Sequence, residues 1–175
     1  MANREALKEL QTRLAARLQA ARGEGVSVSS WLAVECAGRH FLLPLGQSSE
    51  IFPWSGVQSV PYTQPWFLGV ANLRGMLTGV VDLGGLLGIA QPRSEQALLE
   101  SSLLALNSAL EVNAALLVDR LSGLRGVEAF VDSESPDHEA PSYFSTIYVD
   151  AQGTRWQELN LQALSQHPVF LSISA

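Results

Sequence analysis

"GVANLRGMLTGVVDLGGLLG", residues 69–88, is long and apolar enough to suggest a membrane span, yet it carries Asn72, Arg74 and Asp82. At the centre of a bilayer Arg74 and Asp82 would each cost about 2.5–3.5 kcal/mol. The run also holds six glycines, at 69, 75, 79, 84, 85 and 88, and glycine is a poor helix former. A β hairpin accounts for the pattern better. Strand alternation sends Val70, Asn72 and Arg74 one way and Ala71 and Leu73 the other. A turn near Arg74-Gly75 then leads into "MLTGVVDL", with Leu77, Val81 and Leu83 on one face and Met76, Thr78, Val80 and Asp82 on the other.

The remaining chain is also strand-rich. "SWLAVECAG" and "RHFLLPLG" form an expected hairpin turning near Gly38-Arg39, and "SLLALNSALEVNAALLVD" another, turning near Asn107-Ser108. "LRGVEAFV" reads as a strand, and "STIYVDAQGTRWQELN" as a pair turning at residues 151–153. Short strands at regular spacing point to small barrels or a sandwich. "LQALSQHPVFL" predicts a short helix stopped by Pro168. The polar linker "GIAQPRSEQALLES", 88–101, marks a possible division into lobes.

At the N-terminus "MANREALKELQTRLAARLQAARGEG" lacks the uninterrupted apolar stretch of a signal peptide. Leu7, Leu10, Leu14 and Leu18 recur at helical spacing, which predicts an amphipathic helix. It either docks, on the body or on a partner, or frays as a tail.

The 175 residues suffice for one domain or two small lobes with a common core. Residues 1–22 carry five basic and two acidic side chains, and residues 100–160 carry three basic and ten acidic ones. With one lysine and no basic run, the chain lacks the clustered cations that phosphate backbones require. The single cysteine, Cys36, rules out an intrachain disulfide and a Cys-based zinc site. It is expected to be a small buried hydrophobe.

The three histidines, His40, His138 and His167, stand far apart, and no metalloprotease, nucleophile-elbow or phosphate-loop motif occurs. The acidic stretch "VDSESPDHEAPS", 131–142, has the spacing of a solvated loop rather than of a calcium loop. Asp82, closing its strand, is expected to cap the following turn. The aromatics Trp31, Trp54 and Trp66 are expected to pack in the core, although an exposed Trp54 or Trp66 would mark an interaction patch.

The stretch from Leu45 to Gly88 resembles the CheW family of chemosensory adaptors. The resemblance rests on Glu50, Ile51, Pro61, Gly69, Val70, Asn72, Leu73, Arg74, Gly75, Val80, Asp82, Leu83, Leu87 and Gly88, with "ALLVDRLSGLRGVEAF" similar to the family's second-lobe segment. It covers about residues 30–170. It implies an all-β fold of two five-stranded SH3-like barrels about a pseudo-two-fold axis, with an N-terminal helix and a short C-terminal helix. The expected division is an extension over 1–25 and a CheW-like domain over 26–175. Lobe 1 would hold about 28–90 plus 158–175, and lobe 2 about 98–157.

The resemblance further implies a non-catalytic adaptor, with no cofactor and no metal. It would link the cytoplasmic tip of a methyl-accepting chemoreceptor to the regulatory domain of a CheA-type histidine kinase, in the cytoplasm beside membrane-associated receptor arrays. The length and ending are most similar to the family's type IV pilus (twitching) branch; flagellar chemotaxis is the alternative. From another class, a small all-β ligand binder or enzyme using the inter-lobe cleft also stays open.

Glu50, Gly69, Val70, Asn72, Arg74 and Asp82 are the expected partner-binding or rim-organising residues. A partly buried Arg74 is expected to pair with Glu50 on a neighbouring strand, since a guanidinium cannot shed its charge. Ser48, where the family favours an aliphatic residue, is expected to tune the partner surface.

Overall fold

The computed structural model describes residues 2–23 and 30–175, with side chains in the N-terminal helix described for residues 4–15. Helix α1 (Ala2–Gly23) precedes five strands, β1 (Ser30–Cys36), β2 (Arg39–Pro44), β3 (Ser48–Pro53), β4 (Phe67–Leu73) and β5 (Met76–Asp82). Two short helices follow, α2 (Leu83–Leu86) and α3 (Glu95–Glu100). The second half contributes β6 (Ser102–Leu106), β7 (Ala114–Val118), β8 (Arg120–Gly126), β9 (Phe130–Glu134), β10 (Phe144–Asp150) and β11 (Arg155–Leu159), then α4 (Leu161–Gln166) and α5 (Pro168–Leu171).

The opening stretch forms the expected hairpin. Leu73 pairs with Met76 across a two-residue loop, and both loop residues, Arg74 and Gly75, have positive φ. Such a loop matches the right-handed twist of the flanking strands. The β1–β2 turn repeats the device with Ala37 and Gly38. Two local expectations give way. A 3-10 turn over Val127–Ala129 breaks "LRGVEAFV" between β8 and β9. Pro168 starts α5 rather than only ending α4, because proline lacks the N–H that the first helical turn does not need.

Each set of strands curls into a small SH3-like barrel. The six-stranded sheet runs β8-β1-β2-β11-β10-β9 and the five-stranded sheet β3-β6-β7-β5-β4. This order does not follow the 28–90 and 98–157 division. The first hairpin of each half enters one sheet, and the rest of that half crosses to the other. Residues 30–44 therefore join residues 120–159, while residues 48–82 join residues 102–118. The seams are two parallel pairings, β2 with β11 and β5 with β7. The first five strands of the six-stranded sheet repeat the sense of the other sheet's pairings (antiparallel, antiparallel, parallel, antiparallel), as a pseudo-two-fold relation requires.

Alternate residues of the central strands supply different cores. Leu32, Val34, Leu104 and Leu116 enter a cluster spanning both sheets, with Leu161 and Leu164 of α4 and Leu14 of α1. Their neighbours Leu103, Ala115 and Leu117 fill the five-stranded barrel, and Trp31 and Ala33 fill the six-stranded one. Burial on both faces explains the unbroken apolar runs in β6 and β7. Among the described residues the space between the two sheets is filled by this shared cluster.

Helix α1 docks through a face rotated from its leucine stripe. Gln11 and Leu14 are buried, Leu7 and Ala15 half-buried, and Leu10 exposed. The side chain of Leu18 lies outside the described residues.

Candidate functional site

The expected site residues separate into two places. At the tip of the β4–β5 hairpin, Arg74 Nη1 and Nε reach Glu50 Oε1 and Oε2 at 3.2 and 3.1 Å, a planar two-point pair. Glu50 sits on β3 and Arg74 in the turn after β4. These are opposite edges of the five-stranded sheet, not hydrogen-bonded neighbours. The pair therefore bridges the two edges of the five-stranded sheet. Arg74 is 69% exposed and Glu50 27%, which corrects the expected partly buried guanidinium. The left-handed turn lifts Arg74 off the strand face into solvent.

Asn72 supports this tip from below, its Oδ1 accepting from the Gly75 N–H at 2.8 Å. Beside the pair Met76 and Leu77 are 62% and 68% exposed. A groove of about 560 Å³ lies on one side, bounded by Thr12 and Ala15 of α1. Another, of about 350 Å³, lies on the other side, over Thr78 and Asn113.

Gly69 and Val70 act on the backbone instead. Val70 exchanges both main-chain hydrogen bonds with Gln58, at 2.8 and 2.9 Å. At Gly69, φ is +142°, and a Cβ would stand 2.2 Å from the Gln58 carbonyl oxygen. Only glycine lets the segment pass so close. This segment covers the outer edge of β4, so that edge is not a free docking strand at Val70. Ser48 is fully buried, with its hydroxyl donating to the Pro44 carbonyl at 3.0 Å. It does not tune the surface.

Asp82 belongs to a second place. It occupies the residue before α2 but makes no side-chain cap, which corrects the capping expectation. Arg93 draws it away: Nη2 donates to Asp82 Oδ1 at 2.9 Å, and Nε donates to Asp119 Oδ1 at 2.5 Å. The other oxygen of Asp119 accepts from the Ala37 N–H at 2.7 Å, in the β1–β2 turn. Arg93, carried on the linker between the halves, thus joins the end of β5 to the opposite sheet.

Burial opposes the Arg93 charge, but its bonds to Asp82 and Asp119 and their charges outweigh this and raise its pKa above the ordinary value. Next to this tie, burial pushes the Cys36 thiol up to about 12, aided by Asp119 and Asp82. Sequence reasoning quoted Arg93 only as part of a polar linker. The signal available was the pair of matching acidic strand endings, "VVD" at 80–82 and "LVD" at 117–119, with an arginine in the linker between them.

The other candidates resolve into structural roles. Trp54 and Trp66 are half-buried and pack against the core. In the acidic stretch Glu134 pairs with Arg155 at 2.6 Å and Asp137 accepts from the Glu139 N–H. Among the described residues no three His, Cys, Asp or Glu side chains gather as a metal site.

Residues 30–169 match the CheW-like domain family. The chain belongs to the CheW-like family. It is similar to Protein PilI of Pseudomonas aeruginosa, 31% identical over 165 residues that cover 93% of this chain and 89% of that protein. Among solved structures it is similar to the scaffolding protein TtCheW from Thermoanaerobacter tengcongensis, with a TM-score of 0.64 and 17% identity, covering 81% of this chain and 95% of the other. At that identity the likeness shows the fold. The CheW-like match begins after α1, so the helix lies outside the family's domain. Both the Glu50–Arg74 pair and the Asp82–Arg93–Asp119 tie lie within it.

Proposed function

We propose that this chain is a non-catalytic adaptor that couples chemoreceptors to a CheA-type histidine kinase in a type IV pilus chemosensory pathway. Membership in the CheW-like family and the likeness to Protein PilI support this reading. The observation that carries it is the exposed tip of the β4–β5 hairpin. There a geometrically fixed arginine–carboxylate pair stands beside two exposed apolar side chains, Met76 and Leu77.

An exposed ion pair adds about 0–1 kcal/mol to stability, so folding alone gives weak reason to hold Arg74 there. A charged, planar group next to an apolar patch is instead the composition of a protein interface. Coupling requires the adaptor to bind one kinase state better than the other, since equal affinity shifts nothing. The chain would work in the cytoplasm, recruited to receptor arrays through its partners. Among the described residues no helix is long and apolar enough to cross a membrane.

Calorimetry against the regulatory domain of the co-encoded CheA-type kinase tests the reading. The wild type should bind saturably, and Arg74→Glu should bind at least tenfold more weakly while keeping its circular dichroism and melting midpoint. No binding of the folded wild type at tens of micromolar would overturn the kinase assignment. Equal collapse of stability and binding in the variant would overturn direct contact.

A further inference from the structure

β5 and β7 do not start together. β5 pairs with β4 from Met76 onward, but its parallel pairing with β7 begins only at Gly79, opposite Ala114. Residues 76–78 therefore run past the start of β7, at the tip that carries the exposed side chains of Met76 and Leu77. A two-stranded hairpin without a further neighbour is marginal in water. This overhang needs support if its side chains are to hold one direction.

Asn113, the residue before β7, supplies it. Its main-chain carbonyl accepts from the Gly79 N–H at 3.0 Å, the first rung of the ladder. One step back along β5, its side-chain Nδ2 donates to the Leu77 carbonyl. Its Oδ1 lies 3.3 Å from the Thr78 hydroxyl. A carbonyl can only accept, which fixes the amide with its nitrogen toward Leu77. The side-chain amide thus continues the ladder by one step past the β7 backbone. The tip is held from two sides: Glu50 on β3 holds Arg74, and Asn113 holds the flank of Leu77. Asn113 is itself exposed, whereas β7 is buried from Ala114 to Val118, so this amide bears on the overhang more than on the core.

We infer that Asn113 is a positioning residue of the docking tip: its side-chain amide fixes the Leu77 end of the β4–β5 hairpin, so that Met76 and Leu77 meet the partner in one arrangement. This rests on the reading that the tip docks on the regulatory domain of the kinase. Asn113 acts through Leu77 and need not touch the partner. Pre-organisation raises affinity by removing the cost of ordering the tip on binding. Loss of one hydrogen bond of ordinary net strength should weaken binding about fivefold.

The test uses the full chain with two substitutions. Asn113→Asp keeps the shape and the acceptor facing Thr78 but turns the donor to Leu77 into an oxygen. Asn113→Ala removes the amide and adds no charge. In the free protein, amide exchange followed by nuclear magnetic resonance should quicken about fivefold across residues 72–77 in both variants, while β6 and the rest of β7 keep their rates. Unchanged exchange at the tip in both overturns the positioning role, whatever the partner does.

Calorimetry against the kinase regulatory domain then reads the docking role. Both variants should bind about fivefold more weakly than the wild type. In a Leu77→Ala background the same substitutions should cost less than about twofold, because the side chain they position is gone. A merely structural residue would weaken both backgrounds alike; that result overturns action through Leu77 and leaves the kinase reading standing. A loss with Asn113→Asp but none with Asn113→Ala assigns the effect to the added charge and also overturns the inference. No binding by the folded wild type removes the kinase reading and the docking role with it, even where exchange at the tip has quickened.

Discussion

Arg93→Met removes the cation that joins the two sheets while keeping most of the hydrocarbon. The Arg93 side chain is 17% exposed, Asp82 11% and Asp119 33%. Removing one partner from a buried ion pair costs about 3–5 kcal/mol, because the remaining charge is left without compensation. The cost here is smaller. Asp119 keeps its bond from the Ala37 N–H, and a third of its surface reaches water. Asp82 loses its arginine partner while almost enclosed. These considerations set the expected loss at about 2–4 kcal/mol.

For a chain of this length each kcal/mol lowers the melting midpoint by about 2–4 °C, so a fall of about 4–16 °C is expected. Urea unfolding followed by tryptophan fluorescence gives the free energy directly. Asp82→Asn in the same background completes a double-mutant cycle. The double variant should be at least about 1 kcal/mol more stable than the sum of the two losses predicts. A loss below about 0.5 kcal/mol for Arg93→Met would refute the reasoning. It would mean that water already screens the linker charges and that the apolar cluster alone holds the sheets together.

Three further outcomes follow from the same geometry. Gly69→Ala forces a Cβ against the Gln58 carbonyl at a φ that alanine avoids, so unfolding free energy should fall by about 2–4 kcal/mol; chemical denaturation checks it. The Cys36 thiol, raised to about 12 by burial and by Asp119 and Asp82, should resist iodoacetamide at pH 8 in the native protein and react once Arg93→Met loosens the lobes. Because that thiol titrates higher folded than unfolded, its contribution is full below about pH 9 and lost as pH rises toward 12. Asp150 has its pKa lowered by the indole N–H of Trp156 and by the Thr154 and Gln152 amides, so its contribution is present at neutral pH and lost as pH falls through its folded value. Asp150→Asn should flatten the acid limb of a stability–pH curve.

The sequence by itself determined what is local. The hairpins at 30–44, 67–82 and 144–159 were legible because each strand meets its partner across a turn of a few residues, marked by Gly38, Gly75 and Gly153. The family motif also brought Glu50 and Arg74 together, though not their exposure, which depends on how far the turn projects beyond the closed barrel. Only the tertiary structure decided the rest. Strands buried on both faces carry no mark of which core each face enters, so "AALLV" could not say that it pairs in parallel with β5. The pairing of Phe41 with Gln157 joins residues with no local relation, and it makes the lobes interlaced rather than sequential. Arg93 became a tie, and Gln11 rather than Leu10 turned inward, because charge compensation and helix docking depend on neighbours that only the folded chain assembles.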